Sequence, residues 1–503
     1  MKVRDGIVRI LLMVIAAVLG ILLFIPIVKW FGTNAIWVEV VLRILSVLIV
    51  LHIVNYTNHL SQDVVWIILI ILSPIFGTLL YIIIDINAIS DQTTKHLKEE
   101  TKKSEDYFIQ NEEVLKEFNE TYPDGAGQIN YLSKYAKFPV YRNNSFDYYE
   151  KGEVGFPTML EELKKAQKFI FMEYFILEEG QMWNSIVDIL EQKVKEGVEV
   201  RVLYDDIGSL FTIPAHYDSI LEEKGIKCIS FNRINPIINI FMNHRDHRKI
   251  MVIDGKVAFS GGVNLADEYI NVKKVHGDWK DNIIRIKGEA VWSYTLMFLS
   301  TWNALRKEDD DYTVFKVKNS LRKTDGYIVP YCDTPLDDEN CAQNVYLNII
   351  NQAKKYVYIM TPYLIIDNEM AGALILAAKR GVKTCVITPG IPDKKIIYDV
   401  TRSNYVNLLK GGVKIYEYTP GFLHSKVMVS DDICCCVGTV NFDYRSLYLH
   451  FENSTLLYGS QKVEDVRDDA LRCMEVAREV TSYSTPLYKR FIVSIVKIFS
   501  PLM

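Results

Sequence analysis

The sequence lacks any C-x-x-C pair. Its eight cysteines (Cys228, Cys332, Cys341, Cys385, Cys434, Cys435, Cys436 and Cys473) stand alone or in one run, with no histidine at zinc-ligand spacing. That pattern argues against a structural zinc site and suits a reducing compartment better than a secreted disulfide framework. A basic excess is also missing. With 57 Lys+Arg against 62 Asp+Glu and a net charge of −5, the chain does not have the balance of a general nucleic-acid binder. The 24% charged and 12% aromatic fractions exclude disorder as the dominant state. The 503 residues leave room for about three units of ~150 residues. Mean hydropathy is +0.07, high for a soluble protein, and the N-terminus supplies the reason.

Residues 10–28 carry no charge and, at ~1.5 Å per residue, nearly match a ~30 Å hydrocarbon core. Residues 64–84 do the same, with Trp66 and Tyr81 near the two ends and Pro74 as a tolerated kink. The stretch 36–54 is interrupted by Glu39 and Arg43, one helical turn apart and able to pair. It reads as a third span or an interfacial helix. A cleaved signal peptide fits poorly, because the first apolar run is long and no A-x-A site follows it. Positive charge flanks the two strong spans on their outer sides: Lys2, Arg4 and Arg9 before, Lys95, Lys98, Lys102 and Lys103 after. Two spans then place both ends in the cytoplasm. The expectation is a helical hairpin anchor over 1–87 carrying a cytoplasmic body.

Residues 88–139 are charged and read as a linker with helical stretches, Glu99 and Lys103 forming an i,i+4 pair. Strand–helix–strand patterning follows: 168–177, 182–197 and 198–206. It returns at 354–366, 370–381 and 382–390. Short runs match across the halves, KEGVEV (195–200) with KRGVKT (379–384) and EKGIKCISF (223–231) with KGGVKIYEY (410–418). The fold class is therefore α/β: two duplicated α/β domains, 140–325 and 326–484, in one pseudo-symmetric body with a tail at 485–503.

The strongest repeat is chemical. His247, Lys249 and Asp254 form H-x-K-x4-D, and so do His424, Lys426 and Asp431. Each copy is followed at the same distance by G-x-x-N, Gly261 to Asn264 and Gly438 to Asn441. Residues two apart on a strand share a face, so each histidine projects with its lysine. A hairpin turn at Asp254-Gly255 pairs position 247 with 262 and brings Asn264 beside the histidine. A turn at Asp431-Asp432 pairs 424 with 439 and returns Asn441 likewise. Gly261, Gly262 and Gly438 are expected to let a phosphate approach the backbone. Each aspartate lies seven residues from its histidine, roughly 23 Å at ~3.3 Å per residue. Asp254 and Asp431 thus read as structural motif members, setting the turn or pairing with a basic side chain.

Two histidines across one phosphate can serve as nucleophile and general acid and then exchange proton roles. Two lysines and two asparagines can stabilise the non-bridging oxygens. No metal and no cofactor is needed. A carboxylate should orient each imidazole. Aligning HGDWKDNIIRI (276–286) with LHFENSTLLY (449–458) nominates Asp281 and Glu452.

These motifs resemble the phospholipase D superfamily with its paired HKD signatures. NHRDHRKIMVID (243–254), GGVNLADEY (261–269), NFDYRS (441–446), HFE (450–452) and the N-terminal hairpin together look like bacterial cardiolipin synthases. The resemblance covers almost the whole chain and implies two phospholipase D-like domains at the bacterial plasma membrane. It also implies phosphatidyl transfer between two phosphatidylglycerol molecules with release of glycerol. It makes His247 the nucleophile and His424 the acid and then the base, an assignment that sequence symmetry alone leaves open. Rival readings are a phospholipase D releasing phosphatidic acid, a superfamily nuclease, which the acidic charge opposes, and a non-catalytic scaffold for anionic lipid.

Three further features stand apart. An apolar loop, 234–243, precedes His247 and reads either as a bilayer contact or as buried. The tail 488–503 sets Phe491, Ile495, Ile498 and Leu502 near helical spacing beside Lys489, Arg490 and Lys497, as an interfacial helix or a packed one. Cys434, Cys435 and Cys436 read as small core residues on a returning strand.

Overall fold

In a computed structural model the described residues are 6, 7, 11, 36–56, 60–90, 92–233, 244–318, 321, 324–337, 339–484 and 486–499. The expected span at 10–28, residue 11 apart, and the apolar loop at 234–243 lie outside them. Ile36–Tyr56 is one helix, with Glu39 and Arg43 paired at 2.8 Å. The apolar run 64–84 is not one straight helix. It divides at Ser73 into Leu60–Leu72 and Pro74–Ser90, because Pro74 lacks the N–H that would continue the ladder. The two pieces fold back on each other. Trp66 and Tyr81, expected at opposite ends, lie with ring centroids 5.6 Å apart, and Gly77 packs against the Ile70 backbone where a Cβ would have no room. Among the described residues no helix is long and apolar enough to cross a membrane.

The segment read as a linker is helical and docked on the body. Helices Gln92–Glu105 and Glu112–Thr121 bury Leu97, Val114, Leu115 and Phe118. The Asn111 side chain caps the second by accepting from the Glu113 amide at 3.0 Å. Lys103 does not pair with Glu99 but turns to Glu100 at 3.5 Å and to Asp309.

The body is built on two sheets of one design. The first runs, edge to edge, through Asn144–Tyr149, Ile283–Gly288, Val257–Gly261, Lys249–Ile253, Phe169–Tyr174, Glu199–Asp205 and Lys227–Phe231. The second repeats that order with Tyr327–Asp333, His450–Tyr458, Cys434–Gly438, Val427–Ser430, Tyr356–Met360, Lys383–Pro389 and Lys414–Tyr418, then adds Ala477–Val480 at the edge. Three neighbouring strands in each are parallel, as βαβ units require. The strand that follows each motif histidine joins them antiparallel. The strand Cys434–Gly438 is buried throughout.

Helix Val291–Arg306 buries thirteen of its 16 residues, so it is an inner layer and not an amphipathic cover. Its Tyr294, Phe298 and Trp302 share one core with Phe169, Phe171, Ile250 and Val252 of the first sheet and Val427, Cys436 and Leu456 of the second. That shared core holds the two halves together. Two short parallel pairings also cross between them: Arg245–Asp246 with His450–Phe451, and Asp278–Lys280 with Gly421–Leu423.

Candidate active site

The crossing pairs end at the two motif histidines. The His247 amide donates to the Phe451 carbonyl at 2.9 Å, and the His424 amide donates to the Lys280 carbonyl at 2.7 Å. Each histidine is therefore fixed by the opposite half, and both line one cavity of ≈ 330 Å³. The orienting carboxylates also cross. His247 Nδ1 lies 2.9 Å from both oxygens of Glu452, and His424 Nδ1 lies 2.6 Å from Asp281 Oδ2. With Nδ1–H donating to a carboxylate, the lone pair is left on Nε2, the nitrogen available to the cavity.

Buried and beside Lys249, His247 is held well below the ordinary histidine range. Burial and the Lys426 ammonium lower His424 to about 4. Both rings are therefore neutral at physiological pH, as a nucleophile must be. Burial also lowers Lys249 to about 7, against the pull of Glu452, and Lys426 to about 8, against that of Asp281. The carboxylates diverge. Burial pushes Glu452 up to about 8. Asp281, equally buried, is held below its usual range because His424 and Lys426 outweigh the burial.

Each lysine lies beside its own histidine, but neither is among the residues lining the cavity. Lys249 Nζ donates to the His247 carbonyl at 2.6 Å, and Lys426 Nζ donates to the His424 carbonyl. Their charge reaches the cavity from behind the imidazoles. Asn264 and Asn441 line it directly. Asn264 is held by the Ile176 amide, which donates to its Oδ1 at 3.1 Å, and gives one N–H to Tyr269 Oη at 2.7 Å, leaving its second N–H for a ligand.

Asp254 and Asp431 sit at the far ends of their strands, away from the cavity. Asp254 accepts the amides of Gln167, Lys168 and Phe169 at 2.9, 2.7 and 3.0 Å. Asp431 accepts those of Lys354, Lys355 and Tyr356 at 2.6, 2.8 and 2.8 Å. They fasten each hairpin to the start of the neighbouring strand, and among the described residues they pair with no basic side chain that would place them at the chemistry.

The hairpin register differs by one from the two-residue turn expected. Ile253 pairs with Val257 and Ser430 with Cys434. Asp254 and Gly255, like Asp431 and Asp432, take positive φ, and the turn closes with the Lys256 amide on the Ile253 carbonyl and the Ile433 amide on that of Ser430. One further residue then passes before pairing resumes, the usual three-residue hairpin with a bulge.

The glycines also serve another purpose than the one expected. A Cβ at Gly261 or Gly438 would meet the Asn282 or Asn453 carbonyl oxygen at 2.4 Å, and one at Gly262 would lie 1.9 Å from Asp281 Oδ1. They admit the neighbouring strand and the carboxylate, not a phosphate. Gly262→Ala is accordingly expected to displace Asp281 from His424 and lower kcat by about 10–100-fold, as lost supporting hydrogen bonds do at other sites. Steady-state kinetics beside circular dichroism checks this. A folded variant of undiminished rate would remove Asp281 from any orienting role.

The walls hold residues that the motif reading did not find. Trp279 lies 5.5 Å from His424, with Tyr269 at 5.4 Å and Phe422 at 5.7 Å, ring centroid to ring centroid. His450 lies 5.9 Å and Phe175 5.0 Å from His247. Trp279 precedes Asp281 by two, and His450 precedes Glu452 by two. The strand period alone places both on the carboxylate's face.

The family described as "Cardiolipin synthase, PLD-like domain" matches residues 159–293 and 346–474. A cardiolipin synthase of Alkalihalophilus pseudofirmus is 32% identical over 471 residues, 91% of this chain and 92% of that protein. An uncharacterized protein of Streptococcus mutans is 44% identical over 458 residues, 90% of this chain and 99% of its own length. In the solved structures, a phosphatidylserine synthase of Haemophilus influenzae superimposes with TM-score 0.55 at 14% identity, covering 71% of this chain and 95% of that one, a likeness of fold alone. With two family matches on the two halves and relatives aligned over nearly the full length, the chain belongs to the phospholipase D-like cardiolipin synthase family.

Proposed function

We propose that this chain is a phosphatidyltransferase that makes cardiolipin from two phosphatidylglycerol molecules at the bacterial plasma membrane. The observation that carries the reading is the pair of neutral imidazoles in one cavity, each with Nδ1 on a buried carboxylate from the opposite half. His247 Nε2 attacks phosphorus, and the bond to the glycerol oxygen breaks. His424, which takes up a proton on Nε2 when the phosphodiester anion binds, gives that proton to the oxygen as glycerol leaves. The terminal hydroxyl of a second phosphatidylglycerol then gives its proton to His424 and attacks phosphorus, releasing His247. Lys249, Lys426, Asn264 and Asn441 favour the charge on the phosphoryl oxygens, and Asp281 and Glu452 hold the imidazoles. Asp254 and Asp431 keep the hairpins in place. Histidine and lysine supply all the proton transfer and charge the two steps need, without a cofactor. The N-terminal apolar helices anchor the chain, with the catalytic body on the cytoplasmic side.

Lipid mass spectrometry of the purified protein with phosphatidylglycerol tests this. Cardiolipin and glycerol in equal amounts are expected. Phosphatidic acid as the main product would make the protein a hydrolase, and no lipid product would leave a lipid-binding scaffold.

A further inference from the structure

We propose that the C-terminal helix Leu487–Phe499 is a second membrane-docking element, which ties contact with an anionic bilayer to one wall of the catalytic cavity. The proposal rests on the lipid-substrate reading above.

The helix has one side on the body. Val493 is buried against Ile365 and Val400, with Ile397 and Val496 packed around them. Lys489 holds Asp399 at 3.2 Å, and Lys497 donates to Asn404 Oδ1 at 2.6 Å. Ile365 and Ile397 also line the catalytic cavity, so one layer of side chains separates this helix from the reacting groups.

The other side is apolar and open. Leu487, Phe491, Ile492, Ile495 and Ile498 are 83%, 69%, 54%, 44% and 38% exposed. At ~100° per residue they cover a continuous arc of about 140°, with Arg490 and Lys497 beyond its edge. A helix with an apolar arc bordered along one edge by basic side chains fits the boundary between headgroups and acyl chains, and positive charge favours anionic lipid.

The surface also continues past this helix. It touches helix Leu60–Leu72, which in turn packs on Ile36–Tyr56. These carry exposed Ile71, Leu72, Trp37, Val41, Ile44 and Val47. Exposed apolar side chains thus continue from the helix beside the cavity wall onto the N-terminal helices packed against it. A bilayer covering them would hold Val493 against Ile365 and Ile397 where a phospholipid must enter from that same bilayer.

The test uses the full chain reconstituted in phosphatidylglycerol vesicles, beside dihexanoyl phosphatidylglycerol offered as monomers. The double variant Phe491→Asp/Ile495→Asp is expected to lose at least about tenfold of its turnover on vesicle lipid, with the monomer rate within about twofold of wild type, since only the bilayer contact is removed. No loss on vesicles, or an equal loss on both substrates, would overturn the proposal; the second would make the helix a packing element only. Phe491→Trp provides a readout independent of catalysis. Its added fluorescence should be quenched by brominated phosphatidylglycerol, and absence of quenching overturns the docking. If the wild type forms cardiolipin from neither substrate while Phe491→Trp is quenched, it is the transferase reading that falls and the docking that stands.

Discussion

His247→Ala is expected to lower cardiolipin formation by at least about 10⁴-fold, because the step it removes has no substitute in the cavity. Of the two imidazoles that remain in the cavity, His450 has an Nδ1 with no hydrogen-bond partner among the described residues and so no carboxylate to orient it, while His424 has its Nδ1 on Asp281 and faces the phosphate from the other half. It cannot attack from the side on which His247 stands. Substrate binding should survive, since Asn264, Asn441 and the two lysines are untouched. KM is therefore expected to move little while kcat collapses. The diagnostic is covalent. Wild type incubated with radiolabelled phosphatidylglycerol and quenched in alkali should retain label on a phosphohistidine, and the variant should retain none. Label kept in His247→Ala but absent from His424→Ala would exchange the two roles. Label in both would mean that neither histidine is uniquely the nucleophile.

The duplicated order of strands and both histidine–lysine pairs are legible in the sequence because each is a local pattern: period two for the strands, fixed spacing for the motifs. What crosses between the halves is not. Aligning 276–286 with 449–458 finds Asp281 and Glu452, but nothing within either half says that each serves the other's histidine. That exchange follows from Arg245–Asp246 pairing with His450–Phe451 and Asp278–Lys280 with Gly421–Leu423, long-range contacts that no window contains. The hairpin register escaped by one residue for a local reason. Two positive-φ residues suggest a two-residue loop, and the bulge that follows leaves no distinct residue type: Lys256 in one half, Ile433 in the other. In the sequence Gly262 reads as space for a ligand, whereas that space is filled by Asp281. Sequence shows that a Cβ is missing but not what occupies its place. The same limit applies at 64–84, where apolar length suggests a span and the break at Pro74 lets the two pieces pack on each other instead.

His424→Ala should behave differently from His247→Ala, and the difference follows from the unequal carboxylates. Asp281 is held below its usual range by His424 and Lys426, so it stays ionised and can stabilise an imidazolium. Glu452, pushed up to about 8 by burial, is the weaker partner for a positive ring. The half-site with the ionised aspartate is thus the one suited to carry a proton to the leaving glycerol. Before substrate binds, His424 is neutral, lowered to about 4 by burial and Lys426. An arriving phosphodiester anion reverses the sign of that field and favours the protonated ring. Without His424, an alkoxide must leave unassisted, which costs about 10²–10⁴-fold for a general acid. A phosphatidyl ester of p-nitrophenol needs no such help. His424→Ala should therefore release p-nitrophenol in a burst close to the wild-type rate and then stall, because the acceptor hydroxyl has no base and the phosphohistidine accumulates. A burst from that ester, together with the loss on phosphatidylglycerol, places proton transfer at His424. Equal losses on both substrates would instead make it a binding or structural residue, and the acid would have to be sought among the other groups facing the cavity, with His450, 5.9 Å from His247, the first to replace.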